Sequence, residues 1–260
     1  MNGLQQIFVG QALGIVLTIS RVAGFVALSP IPGDYVPMTS RVGLILVVGW
    51  LASSVAVLPP GLTGLNGSTV LVASSEVALG LATGFIFRIL LLASSVAGST
   101  VAQSMGLTTA SQFDPSTGTQ ETPVAKMATL MAMLLAIAVG AHRVALAYLL
   151  ESFRVLPIGA SLTIAPTMPT VLRLVTDTLA VGIRLATPVV ASGIAMQITL
   201  GVISRAAPSL QLFSVGLSIT LGTGFFVLMA SLRDVGSGLG EHIGHLPLYL
   251  DQFFTAVGGR

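Results

Sequence analysis

The chain has 260 residues, of which 53% are hydrophobic and only 8% are charged, and its formal net charge is +2. A soluble domain carries about 25% charged residues, so this composition excludes an ordinary water-facing surface. The absence of cysteine excludes disulfides and thiolate metal sites. Lys126 is the only lysine, and the absence of any run of Lys or Arg excludes a basic nucleic-acid groove. We therefore interpret the chain as an all-α, polytopic membrane protein.

A spanning helix needs roughly 20 apolar residues, so the chain has room for about six hydrophobic helices. The apolar runs, in chain order, are 4–28, 42–58, 70–105, 126–150, 178–204 and 209–232. The third is too long for one ordinary span, because 36 helical residues reach about 54 Å and the hydrocarbon core measures roughly 30 Å. We expect one integral membrane domain over 1–232 and a polar, Gly-rich tail over 233–260, with a cytoplasmic C-terminus.

Isolated charges interrupt these apolar runs, and each costs about 2.5–3.5 kcal/mol at the centre of a bilayer. They are Arg21, Glu76, Arg88, Arg143, Arg184 and Arg205. They would line an aqueous pathway or proton relay, or else face partner subunits and the membrane interface. Because few acids lie near these arginines in the sequence, we expect partner subunits or backbone carbonyls to satisfy them. Glu76 and His142 are the only plausible relay groups, and they lie on different runs.

The sequence contains no convergent catalytic or metal-binding constellation. His242 and His245 are three residues apart beside Glu241, but they lack a third ligand and are typical of solvated polar groups. A G-x-S-x-G elbow is absent. We therefore expect no enzyme activity, no cofactor and no metal.

Two pairs of glycines have the G-x-x-x-G spacing that lets helices approach closely. They are Gly10 with Gly14 and Gly80 with Gly84. This spacing serves packing within one chain as readily as packing between subunits, and the sequence leaves both interpretations open.

The most informative polar segment is 103–115, which follows a stretch of small residues at 93–102. It has no helical apolar stripe and is too hydrophilic to face lipid. Irregular backbone at membrane depth is tolerated only inside protein or beside an aqueous cavity. The segment is therefore either an external loop between spans or a loop folded into a pore.

Five blocks, in order along nearly the whole chain, resemble one family, the FliR/SctT-type component of the flagellar and virulence type III export gate. The blocks are Ser20–Phe25 with Ser29–Gly33, Val36-Pro37 and Arg41; Glu76–Gly80 with Gly84-Phe85; Ala97-Gly98 with Gln103–Leu107 and Asp114-Pro115; His142 with Ser152 and Pro157–Gly159; and Gly201–Pro208 with Phe213. Ser209 and Gln211 depart from the family pattern.

The resemblance implies a structural, channel-forming subunit of the flagellar export gate in the bacterial inner membrane and basal body, built from helical hairpins. It implies FliP-type and FliQ-type gate subunits as partners, together with FlhB-type and FlhA-type membrane proteins. Membrane lipid and unfolded export substrates would also contact the chain. The alternative is a secondary transporter or small-solute channel, which would concentrate polar ligands at the bilayer midplane.

The resemblance also implies roles for individual residues. It favours a pore position for the loop 106–120 and makes it the plug that closes the channel at rest. The gate residues are Met105, Gly106, Phe113, Asp114, Pro115 and Gly118. The residues expected to serve assembly or structure are Arg21, Pro30, Pro37, Arg41, Glu76, Arg88, Arg205 and Pro208.

Overall fold

The computed structural model describes residues 3–33, 36–56, 67–108, 122–160, 165–206 and 212–258. Within these ranges the regular structure is entirely helical, which confirms the all-α class. The helices are α1 Gly3–Leu28, α2 Met38–Ser53, α3 Gly67–Ser104, α4 Pro123–Val139, α5 Ala141–Val155, α6 Met168–Ala206, α7 Leu212–Gly244 and α8 Leu246–Gly258. A short 3₁₀ turn, Ala165–Thr167, precedes α6.

Four helical stretches are long and apolar enough to cross a membrane. They are Gly10–Leu28, Thr69–Ser104, Met168–Arg205 and Gly216–Gly258. The pair α4 and α5 is bent by 65° and makes a fifth span if it is counted as one. Gly140, with φ 79°, lies at this bend. The polytopic membrane class is thus confirmed with four to five spans in the described residues, against about six expected, because α2 has only 16 residues.

The third apolar run forms one unbroken helix. α3 contains 38 residues, which corresponds to about 57 Å and exceeds the hydrocarbon thickness of a bilayer. It ends where Gly106 adopts φ 77°, a left-handed conformation that glycine permits at helix ends. The N–H of Met105 still donates to the carbonyl of Val101 at 3.0 Å. An apolar helix therefore extends beyond the length that lipid alone requires.

The C-terminal segment is also helical. Residues 233–244 continue α7, and α8 follows after His245. One face of α8 is buried, and it packs against α5. The buried side chains of α8 are Leu246, Tyr249, Leu250, Phe253, Phe254 and Val257. Phe253 and Phe254 contact each other edge to face, with ring centroids 5.5 Å apart.

The chain divides into two compact units. The first unit contains 1–90, 140–175 and 244–260, and the second contains 91–139 and 176–243.

In the first unit, α1 and α3 meet backbone to backbone. A Cβ atom on Gly80 would overlap the carbonyl oxygen of Arg21, and one on Gly24 would overlap that of Val77. A Cβ on Gly84 would lie 2.5 Å from the carbonyl oxygen of Phe25. The spacing of Gly80 and Gly84 therefore serves packing within this chain.

In the second unit, the hydrophobic core lies among α3, α6 and α7. Its buried members include Val101, Met105, Ala186 and Val189. Met105 is only 1% exposed, and a Cβ on Gly224 of α7 would lie 2.7 Å from its Cγ. Glycine at 224 thus makes the space that the methionine side chain fills.

Candidate functional site

A charged pair is completely buried in the apolar interior of the first unit. Arg21 of α1 is 0% exposed and Glu76 of α3 is 1% exposed. The Nε of Arg21 donates to Oε2 of Glu76 at 2.6 Å. The close approach of the two helices at Gly80 places these residues, 55 positions apart in the sequence, within direct reach.

The rest of the guanidinium is bound by the end of α5 and the turn after it. One terminal nitrogen of Arg21 donates to Oγ of Ser152, and the other donates to the carbonyl oxygen of Leu156, both at 3.0 Å. Ser152 in turn donates to the carbonyl oxygen of Leu149 at 2.6 Å. The arginine thereby ties the exit of α5 to α1.

Both carboxylate oxygens of Glu76 accept a hydrogen bond. Its second oxygen, Oε1 of Glu76, accepts the backbone N–H of Gly159 at 3.1 Å. Gly159 has φ 78°, so a residue without a side chain suits the turn that presents this N–H. Glu76 therefore bridges α3 to the turn after α5, just as Arg21 bridges α1 to it.

An aromatic ring completes the environment of the arginine. The guanidinium carbon of Arg21 lies 4.3 Å from the centroid of the Phe153 ring, within the range of a cation–π interaction. Phe153 is itself fully buried. Removing two charges from water costs several kcal/mol for each ion, and only a fully hydrogen-bonded arrangement of this kind offsets that cost.

This geometry corrects one expectation. Arg21 is satisfied within the chain, by an acid remote in sequence, and does not need a partner subunit. Glu76 is among the charges expected to serve assembly or structure, but its pairing with Arg21 was not expected, because the two residues are 55 positions apart. The usable signal was the presence of one acid and one arginine of opposite charge in separate apolar runs, since such residues commonly pair inside membranes.

The same geometry weighs against a proton relay. Both carboxylate oxygens of Glu76 are engaged, by Arg21 and by Gly159. His142, the other relay candidate, has a buried Nδ1 with no hydrogen-bond partner. No chain of hydrogen bonds links the two residues in the described part of the molecule.

The other arginines of the apolar helices are exposed. They are Arg88 on α3, Arg143 on α5, and Arg184 and Arg205 on α6. Their guanidinium groups have no ion-pair or hydrogen-bond partner among the described residues. The expectation that partners outside this chain satisfy them stays a prediction for these four.

Three of the expected structural residues lie in the turn between α1 and α2 or in the first turn of α2. Arg41 donates to the carbonyl oxygens of Gly33 at 2.6 Å and Val36 at 3.2 Å. Pro30 is buried, and Pro37 directly precedes the first residue of α2. Arg41 therefore closes the turn by binding carbonyls that the helices do not use.

The expected gate segment is only partly described. Gly106 ends α3, and Met105 contributes its bulk to the core of the second unit, not to a free loop surface. Phe113, Asp114, Pro115 and Gly118 lie outside the described residues, as does Pro208.

One histidine departs from the solvated state expected of it. His242 is 4% exposed, and its Nε2 lies 3.3 Å from Oγ1 of the fully buried Thr178, within hydrogen-bonding distance. His245 is exposed. The two histidines, although three apart, therefore lie in different environments and do not share one face.

The helices define a polytopic, all-α membrane protein. In the described residues its only fully buried ion pair, Arg21 with Glu76, connects α1, α3 and the turn after α5. The sequence matches the profile of the family described as bacterial export proteins, family 1, over residues 4–246. The chain therefore belongs to that family.

Three relatives are each named flagellar biosynthetic protein FliR. The protein from Caulobacter vibrioides is 25% identical over 225 residues, covering 84% of this chain and 88% of its own. That from Bacillus subtilis is 26% identical over 226 residues, covering 84% and 86%. That from Aquifex aeolicus is 26% identical over 230 residues, covering 88% of each chain. The resemblance to a FliR-type export component, stated from the residues, is confirmed.

Proposed function

We propose that this chain is a structural, channel-forming subunit of the flagellar type III protein export gate. It lies in the bacterial inner membrane at the flagellar basal body, with its C-terminus in the cytoplasm. Its role is to let unfolded flagellar proteins leave the cell during flagellum assembly, without catalysing a reaction. The observation that carries the proposal is the family match over residues 4–246, together with three relatives named for flagellar biosynthesis.

The surface of the chain is consistent with a subunit of a larger assembly. Large apolar side chains are exposed on α2 and α7, among them Trp50 at 68% and Phe226 at 74%. Arg88 and Arg205 are exposed without a partner in the described residues. Lipid tails can cover the apolar residues, but hydrocarbon does not satisfy a guanidinium group. In the proposal, FliP-type and FliQ-type subunits meet these surfaces, with FlhB-type and FlhA-type proteins beside them.

The buried pair serves assembly in this proposal. Arg21 and Glu76 join α1, α3 and the end of α5 through four hydrogen bonds and one ring contact that need no outside partner. The first unit thus enters the complex with its own interior already satisfied. A rigid subunit of this kind presents fixed surfaces to its neighbours, which lowers the conformational entropy that assembly removes.

The closing element in the proposal is the loop 106–120. It leaves α3 at Gly106, and Met105 anchors its start in the core of the second unit. Phe113 supplies the apolar bulk that blocks the channel, and Asp114-Pro115 favours a turn that holds the loop in place. Closure must be weak, because each exported chain has to displace the loop.

The test is deletion of residues 110–116 from the complete gate. We expect the resting membrane to leak small ions, measured as conductance across membranes that contain the gate, while the amount of assembled complex stays close to normal. Loss of assembly together with loss of export would instead assign the loop to packing.

A labelling experiment separates a plug from an external loop. Because the chain has no native cysteine, single cysteines at Thr109, Phe113 and Ser116 report on this loop alone. We expect all three to resist a bulky thiol reagent at rest, whereas a cysteine at the exposed position Thr255 reacts in permeabilised membranes. Free reaction at all three positions, with no conductance after the deletion, would contradict the gate role.

A further inference from the structure

The second unit contains a cavity that is apolar throughout. Its volume is about 400 Å³, and it is lined by 97–101 of α3, 124–131 of α4, Leu185 of α6 and 225–235 of α7. Every lining side chain is Ala, Val, Leu, Met or Phe, apart from one glycine. An apolar lining of this kind favours contact with hydrocarbon over contact with water.

The dimensions of the cavity favour a narrow occupant. One turn of an α-helix, taken as a cylinder about 10 Å wide and 5.4 Å long, already occupies about 400 Å³. The cavity is therefore too small to seat a helix of a partner protein. Its lining on α7 runs from Phe225 to Val235, a rise of about 15 Å along the axis, which matches the thickness of one leaflet of a bilayer's hydrocarbon core.

Methionines make the wall of the cavity adaptable. Met127, Met131 and Met229 line it, and Met127 and Met229 are more than 70% exposed at its opening. Unbranched, polarizable thioethers fill irregular gaps and adjust to flexible apolar ligands. The opening allows a chain to enter from the surface of the second unit.

Basic residues stand beside the lining on three helices. Lys126 directly precedes Met127, Arg184 precedes Leu185, and Arg233 follows Leu232. Each basic residue lies about 1.5 Å along its helix axis from a lining residue. All three side chains are exposed, and Asp234 is the one acid next to the same lining. The exposed residues adjacent to the lining therefore carry a net positive charge.

We propose that this cavity binds one acyl chain of an anionic phospholipid, whose phosphate is held by Lys126, Arg184 and Arg233. The apolar cavity, about as long as one leaflet, matches the acyl chain of such a ligand. The basic residues beside it match the phosphate. Basic residues between membrane helices are a recognised means of binding anionic lipid headgroups. The lipid is a bound component of the second unit and not part of the surrounding bilayer.

The experiment uses the full chain, purified in a mild detergent and supplied with phosphatidylglycerol. Native mass spectrometry then counts the lipids retained by each molecule. We expect one retained phosphatidylglycerol. Met131→Gln keeps the side-chain length but places an amide in the cavity, and it should weaken binding about tenfold, since an unpaired buried amide costs at least that factor. Met133→Gln, two residues along α4 and outside the lining, should change binding less than twofold.

A second pair of variants tests the basic residues beside the cavity. Arg184→Gln should reduce the preference for phosphatidylglycerol over phosphatidylcholine several-fold, whereas Arg173→Gln, at another exposed arginine of α6, should leave that preference unchanged. Photoactivatable phosphatidylglycerol with its reactive group in the acyl chain should label 97–101, 124–131 and 225–235 in the unmodified chain. Equal binding by all four variants, labelling elsewhere, or loss of the lipid when FliP-type and FliQ-type partners are co-expressed would overturn the proposal.

Discussion

The two compact units treat charge in opposite ways. The first buries Arg21 and Glu76 in its apolar interior, whereas every described charged side chain of the second is exposed. The second unit builds its interior from Val101, Met105 and Val189, which need no hydrogen bonds. Hydrocarbon contacts hold helices wherever shapes fit, but a buried ion pair is stable only if each donor and acceptor finds its partner. The packing of the first unit therefore depends on specific hydrogen bonds of a buried ion pair. The packing of the second depends on how well apolar side chains fill its interior.

Removing one member of the buried pair should cause the largest loss of stability. Glu76→Ala leaves Arg21 buried without its counter-ion, and we expect the free energy of unfolding to fall by about 3–5 kcal/mol. The measurement is thermal unfolding of the purified chain in detergent, with the amount of chain in the membrane as a second reading.

The exposed pair of Glu151 and Arg154 supplies the matched control. Their side chains are 55% and 66% exposed, so Glu151→Ala should change stability by about 0.5 kcal/mol or less. Arg21→Met combined with Glu76→Leu should recover much of the loss, because apolar side chains of similar volume replace buried pairs well. A Glu76→Ala chain with unchanged unfolding temperature would refute this assignment.

The second unit should lose stability when a buried apolar side chain is shortened, because its interior contains no buried ion pair in the described residues. Met105→Ala should lower the free energy of unfolding by about 2–5 kcal/mol, because it empties the space beside Gly224. Met127→Ala, at a side chain 71% exposed, should have little effect. Equal unfolding temperatures for the two variants would show that Met105 does not belong to the core.

A smaller effect is expected at the contact of α1 with α3. Gly80→Ala forces a methyl group against the backbone of Arg21, and overpacking of this kind costs about 1–3 kcal/mol. At Gly10 no atom lies within 4 Å of an added Cβ, so Gly10→Ala should be neutral or stabilising by up to about 1 kcal/mol. A lower unfolding temperature for Gly80→Ala and an unchanged or higher one for Gly10→Ala are the expected results.

The smallest effect on the chain itself is expected at Arg205, which is exposed at the end of α6. Arg205→Ala should change the stability of the isolated chain by less than about 0.5 kcal/mol, yet reduce the amount of gate assembled with its partners. Native gel electrophoresis of the co-expressed complex measures this, with Arg173→Ala as the control. Normal assembly with lost export would place Arg205 in the channel.

Much of the helical architecture could be predicted because the bilayer leaves few alternatives. The run expected at 4–28 is α1 at Gly3–Leu28, and the run at 70–105 is α3 at Gly67–Ser104. A segment in hydrocarbon must satisfy its backbone internally, so continuous apolar sequence implies helix. The bend between α4 and α5 escaped prediction because it depends on one glycine, Gly140, inside an apolar run.

The candidate site was predictable in its residue types but not in its contacts. The sequence identifies Arg21 and Glu76 as unusual charges in apolar runs, and it offers Gly159 and Ser152 only as members of family blocks. Their joint role depends on the turn after α5 meeting α1 and α3, and periodicity carries no information about that meeting. The buried state of His242 was missed for the same reason, since its partner Thr178 is 64 positions away.

The sequence by itself determined the solvent of this protein, its helical class and its family, because hydrophobicity, backbone hydrogen bonding and ordered motifs are local properties of the chain. Only the tertiary structure decided which charges are buried, which glycines separate two backbones and where a cavity remains. Those outcomes depend on distances between residues far apart in the sequence. Such distances are set by the packing of whole helices, and opposite charge or small size at a single position does not specify them.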